Sequence, residues 1–191
     1  CRHCHEKIAL FDPIIEFSTG LLFAVSFYSY KFKPELAIAL VLVSLLMIIV
    51  VSDLNYLIIP DSILIVSSII ILVIKFITGG YLSFLKSLGG GLLLFSLMFI
   101  IMLLGNMIFK KESLGGGDIK LMFVFGLVIN PILGLFVLFI ASFLALPVSL
   151  IILLKRNVNL VPFGPFLLIS CMFIYFTRID LNMIIEFIQS I

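Results

Sequence analysis

The sequence predicts an all-α fold, a polytopic bundle of about seven (six to eight) transmembrane helices, and three observations predict it. Hydrophobic residues make up 63% of the 191 and charged ones only 12%, with a mean hydropathy of +1.39, a composition set by lipid and not by water. The apolar residues come in continuous runs that approach the roughly 20 residues a helix needs to cross a bilayer core. They do not alternate with polar ones, which excludes a β-barrel, the only other fold that satisfies its backbone in lipid.

Charges and turn residues cut the chain into apolar segments at 14–30, 36–52, 62–77, 88–109, 119–129, 132–154 and 164–177. The 119–129 segment is short for a crossing, and Asn130-Pro131 breaks what would otherwise be one over-long helix, so a six-span arrangement is the alternative. With the Cys1 end inside, loops 53–61, 110–118 and 155–163 share the cytoplasmic side. The loops 31–35, 78–87 and 130–131 then lie outside with the C-terminal tail. Basic residues on the inner side (Arg2, Lys7, Lys110, Lys111, Lys120, Lys155, Arg156) outnumber those outside (Lys31, Lys33, Lys75, Lys86, Arg178), as the positive-inside rule requires. Residues 14–191 therefore read as one membrane domain. The chain opens on Cys1 with no targeting segment before the first apolar run, so a preceding N-terminal piece is expected.

Composition also narrows the function. A net charge of +2 with no basic cluster gives no nucleic-acid footprint. Three cysteines make no disulfide framework, and Cys171 falls inside a membrane run, which leaves Cys1 and Cys4. The histidines are His3 and His5 alone, and no serine sits in a nucleophile-elbow pattern.

Acidic residues at the ends of membrane runs are what remains. Asp53 follows the run 36–52 directly, where the negative end of a helix dipole disfavours a carboxylate, so its presence needs a reason. Asp61 follows Pro60 and precedes an apolar run, a position that suits helix capping ahead of catalysis. Asp118 could either cap a helix beginning at Ile119 or act chemically. Gly115, Gly116 and Gly117 before it strip away side chains, so that another backbone could approach the carboxylate. Gly89-Gly90-Gly91, elsewhere in the chain, shows that a glycine triplet alone decides little. Two carboxylates brought together can hydrolyse a peptide with neither metal nor nucleophilic side chain: the ionised one takes a proton from water, and the protonated one donates.

Asp53 followed by Pro60-Asp61, and later Gly115-Gly116-Gly117-Asp118-Ile119-Lys120, resemble motifs of the type IV prepilin peptidases. Cys1-Arg2-His3-Cys4 with Asp12-Pro13 and Glu16 is similar to that family's second CxxC and the Pro-x-x-Glu opening its next helix. Val161-Pro162-Phe163-Gly164-Pro165 is similar to its late Pro-Phe-Gly-Pro element. The resemblance implies an aspartic peptidase with Asp53 and Asp118 as catalytic pair and Gly115, Gly117, Lys120, Pro60, Asp61 and Glu16 in support. It implies cleavage of type IV prepilins or pseudopilins after a glycine, on the cytoplasmic side of their hydrophobic helix, in a bacterial inner or plasma membrane. Membrane lipid would be the other partner, with no nucleic acid.

Proteolysis of this kind needs no cofactor. The family pattern adds zinc and S-adenosylmethionine for methylating the new N-terminus. Residues 1–13 would be the remnant of that zinc region, where Cys1 and Cys4 supply half of a four-thiolate site. Two other classes compete: a cation-coupled transporter component with aspartates as its ion site, and an inactive structural or assembly subunit. A transporter site would normally lie near mid-membrane.

Overall fold

The computed structural model describes residues 10–110, 115–156 and 162–179. Every element among them is an α-helix: α1 (Phe11–Tyr30), α2 (Glu35–Tyr56), α3 (Asp61–Phe109), α4 (Gly116–Val128), α5 (Pro131–Arg156) and α6 (Gly164–Thr177). By length and composition α2, α3 and α5 could each cross a membrane. The expected helical membrane bundle is what forms.

The seven apolar segments return as seven helical stretches, two of which, 61–79 and 81–109, follow each other so closely that they carry the single label α3. Residues 78–87, expected to be an outer loop, hold the turn between those two helices: they are helical on either side of Gly80, whose non-helical backbone (φ 66°, ψ −167°) turns the chain. That backbone conformation is one that only glycine adopts readily. The two limbs of α3 run in opposite directions past α4. Asp61 lies beside Lys120 and Lys75 beside Val128, so the first limb is parallel to α4. Gly90 lies against Gly126 and Phe95 against Phe123, so the second limb is antiparallel.

Helix α4 is the centre of the bundle. Leu121, Met122, Val124 and Phe125 are wholly buried, against a core that includes Leu42 and Ile49 of α2, Leu94 and Met98 of α3, and Leu167 and Leu168 of α6. Apolar burial gains little when the alternative is lipid, so close packing carries the assembly. At 13 residues α4 is about 20 Å long, shorter than a bilayer core of roughly 30 Å. The break after it falls where Asn130-Pro131 predicts. Asn130 Oδ1 accepts the Ile132 N–H at 3.0 Å, and Pro131 opens α5.

The ends of the bundle differ. At one, the Tyr30 hydroxyl donates to the Tyr175 carbonyl (2.6 Å), the Tyr175 hydroxyl to the Glu35 carbonyl (2.9 Å), and Arg178 to the Ser29 carbonyl (2.9 Å). At the other, the C-terminus of α2 meets the N-termini of α3, α4 and α6. That end holds the acidic residues singled out in the sequence.

Candidate functional site

Asp53 lies in the last turn of α2 and is 6% exposed. A carboxylate there opposes its own helix dipole, and the missing reason is α6. The Gly164 N–H, at the start of α6, donates to Asp53 Oδ2 at 3.1 Å, so a second helix presents its positive end to the acid that the first disfavours. Glycine is what permits the approach. A Cβ on Gly164 would stand 3.0 Å from Ile49 Cγ2 and 3.1 Å from Asp53 Oδ2.

Asp118 lies in the first turn of α4, which begins at Gly116 and not at Ile119. Gly115, in extended conformation, is the residue that precedes the helix, so Asp118 does not occupy the capping position. A Cβ on Gly115 would come 3.1 Å from Asp118 Oδ2, and one on Gly117 would come 2.8 Å from Ile59 Cβ. The glycine run thus lets the stretch after α2 close over the start of α4. Asp53 and Asp118 both line one cleft of about 620 Å³.

Leu57, Ile58, Ile59 and Pro60 line that cleft together with Gly115, Gly116 and Gly117 and with Phe163. Leu57 takes a left-handed conformation (φ 53°, ψ 37°), and its N–H donates to the Asp53 carbonyl at 3.0 Å, which ends α2 sharply and turns 58–60 back across the cleft.

Asp61 differs from its sequence reading as a helix cap. The residue preceding α3 is Pro60, extended at φ −70° and ψ 122°; Asp61 is already inside the helix. Its carboxylate takes Lys120 instead, with Nζ 2.7 Å from both oxygens. A proline ahead of Asp61 fixes the chain direction, Lys120 lies two residues past Asp118 on α4, and both members of the pair line the cleft. Lys120 is therefore matched to Asp61, a partner the sequence did not suggest.

Of the other residues singled out, Pro60, Gly115 and Gly117 line the cleft. Glu16 is exposed on α1 and does not. Cys1 and Cys4, with His3 and His5, lie outside the described residues. Among the described residues, no group of three or more His, Cys, Asp or Glu side chains could hold a metal ion. Sequence reasoning missed Ile59 and the Gly164 amide. The first has no polar signature, and the second acts through backbone, for which Phe163-Gly164-Pro165 at a helix start was the available sign.

Residues 40–150, more than half of the chain and both aspartates among them, match the type IV leader peptidase family. The chain belongs to that family. A prepilin leader peptidase/N-methyltransferase of Bacillus subtilis (strain 168) is 34% identical over 131 residues, 68% of this chain and 50% of that protein. One of Myxococcus xanthus (strain DK1622) is 32% identical over 159 residues, 82% of this chain and 47% of the relative. One of Neisseria gonorrhoeae is 24% identical over 174 residues, covering 89% and 59%. The chain thus spans about half the length of the curated relatives it matches. No solved structure matches it significantly.

Proposed function

We propose that this member of the type IV leader peptidase family is a membrane-embedded aspartic endopeptidase. In this reading it cleaves the leader of prepilins or pseudopilins after a glycine, in a bacterial inner or plasma membrane with its cleft toward the cytoplasm. The observation that carries the reading is the convergence of Asp53 and Asp118, from the end of one helix and the start of another, on one open cleft. Their place at helix ends, away from mid-membrane, favours a peptidase over a cation-coupled transporter.

The chemistry follows from two acids that share a proton. The ionised carboxylate takes a proton from water as its oxygen attacks the scissile carbonyl carbon, while the protonated partner donates to the carbonyl oxygen. Collapse of the resulting diol breaks the C–N bond, and the proton taken from water passes to the leaving amine. The Gly164 amide anchors one oxygen of Asp53 for this work. The bare walls at Gly115–Gly117 leave room for an extended peptide backbone between the acids.

Methyl transfer, which the relatives' descriptions also name, would need S-adenosylmethionine as donor and, on the family pattern, a four-thiolate zinc site. Cys1 and Cys4 are half of that set. The proposal is proteolysis alone.

The test is cleavage of a prepilin by the purified chain in detergent or proteoliposomes. An amide matches a carboxyl in size but cannot exchange its proton. Asp53→Asn and Asp118→Asn should therefore each lower the rate by at least about 100-fold at unchanged membrane levels. Cleavage retained in either variant would falsify the two-acid mechanism.

A further inference from the structure

Beside the cleft runs a second concavity, a groove of about 510 Å³ between the two limbs of α3 with α4 as its floor. Leu64, Ile65 and Ile69 of the first limb form one wall, and Leu92 and Phe95 of the second limb form the other, with Phe123 beneath. Ser68 lies among them, but its hydroxyl donates to the Leu64 carbonyl at 2.7 Å. The groove is therefore apolar along its length. Asp61 and Lys120 line both the groove and the cleft, so the two concavities meet at that ion pair.

The geometry points to this groove as the docking site for the apolar helix of the substrate itself, entering the membrane as the continuation of the peptide bond held in the cleft. The inference rests on the leader peptidase reading. A chain leaving the cleft past Asp61 and Lys120 passes onto apolar walls built from membrane helices, so only an apolar segment can follow that course. Once in lipid, that segment must pair its own backbone and so must be helical. Lipid tails are as apolar as leucine, so a helix stays against another only by packing better than lipid does. A concave face supplies that advantage: Ile69 and Leu92 are 56% and 51% exposed on either side of it. A lipid acyl chain is the competing occupant.

Crosslinking tests occupancy without requiring turnover. Photoreactive benzoylphenylalanine is placed at Ile69 or Leu92 in the Asp118→Asn chain, with full-length prepilin in the same membrane. The control is Phe143 of α5, which is 63% exposed and outside the groove. Adducts to the apolar segment of the prepilin are expected at 69 and 92 and not at 143. Equal yields at all three positions, or adducts to lipid alone, overturn the proposal.

A second measurement uses Leu92→Trp, which fills the groove and leaves the cleft untouched. It should raise KM for full-length prepilin about tenfold, as loss of substrate binding does, while a short peptide that ends before the apolar segment is cleaved at the wild-type rate. An equal effect on both substrates, or on neither, overturns the groove. If the wild-type chain cleaves neither substrate, the leader peptidase reading itself fails, and the docking proposal fails with it.

Discussion

The chain has two runs of three glycines, and they hold different kinds of close approach. Gly89-Gly90-Gly91 lies within the second limb of α3. A Cβ on Gly90 would stand 2.6 Å from the Gly126 carbonyl oxygen, and one on Gly91 would stand 3.0 Å from the Phe123 carbonyl oxygen. At Gly90 helix backbone meets helix backbone, as membrane helices do where small residues face each other, while a Cβ on Gly91 would first meet the Leu127 side chain, at 2.8 Å. Gly115-Gly116-Gly117 opens α4, and its crowding comes from side chains, Ile59 against Gly117 and the Asp118 carboxylate against Gly115. The first run sets how near α3 and α4 lie; the second sets the shape of the cleft. In each, one glycine, Gly89 and Gly116, meets nothing within 4 Å.

If that division holds, the largest effect belongs to the mid-bundle run. Gly90→Val would drive a branched side chain into the Gly126 carbonyl, and neither backbone can yield without separating α3 from α4. Unfolding in detergent should show a loss of about 3 kcal/mol, at the upper end for overpacking, with prepilin cleavage lost alongside. Wild-type stability would abolish the distinction between the two runs.

Gly117→Ala should act locally. Its Cβ would meet Ile59 at 2.8 Å, so the wall carrying 57–60 must move, with a stability loss of about 1 kcal/mol and a larger proportional loss of cleavage. Removing the obstacle should restore the rate, making Gly117→Ala with Ile59→Ala better than Gly117→Ala alone. A double-mutant cycle on cleavage rate reads this coupling; strict additivity would mean that Ile59 is not what Gly117 makes room for.

Gly89→Ala removes a flexible residue from a helix interior where there is space, and should raise stability by about 0.5–1 kcal/mol. Gly116→Ala, at the first residue of α4, should gain roughly half as much on the same ground, with cleavage unchanged in Gly89→Ala and lowered in Gly116→Ala, which lines the cleft. Unchanged cleavage in Gly116→Ala would show that Gly115 and Gly117 alone shape the cleft for the substrate.

The smallest stability effect concerns the ion pair that lines the cleft. Lys120 and Asp61 have side chains 48% and 58% exposed, so the pair should contribute at most about 0.5 kcal/mol. Asp61→Asn and Lys120→Ala should therefore change stability little and by matching amounts, with cleavage falling only a few-fold. Thermal unfolding of the two single variants and the double variant measures it, and an effect above 1.5 kcal/mol would assign the pair a structural weight that its exposure does not support.

The sequence by itself determined the solvent of this protein, the position of its apolar segments, the break at Asn130-Pro131 and the placement of Asp53 and Asp118 at segment ends. These are local properties, since each stretch of chain chooses lipid or water on its own composition, and proline stops a helix wherever it stands. It also placed Pro60, Gly115, Gly117 and Lys120 near the acids. The tertiary structure alone decided that the turn between 62–77 and 88–109 is made at Gly80, that Asp61 takes Lys120 in place of its own helix end, that Ile59 fills the space Gly117 leaves, and that Gly164 offers its amide to Asp53. Each of these joins residues distant along the chain through packing, where the deciding quantity is how closely two backbones approach. Hydropathy does not encode that distance, and a glycine is written the same way whether a carbonyl, an isoleucine or nothing at all lies against it.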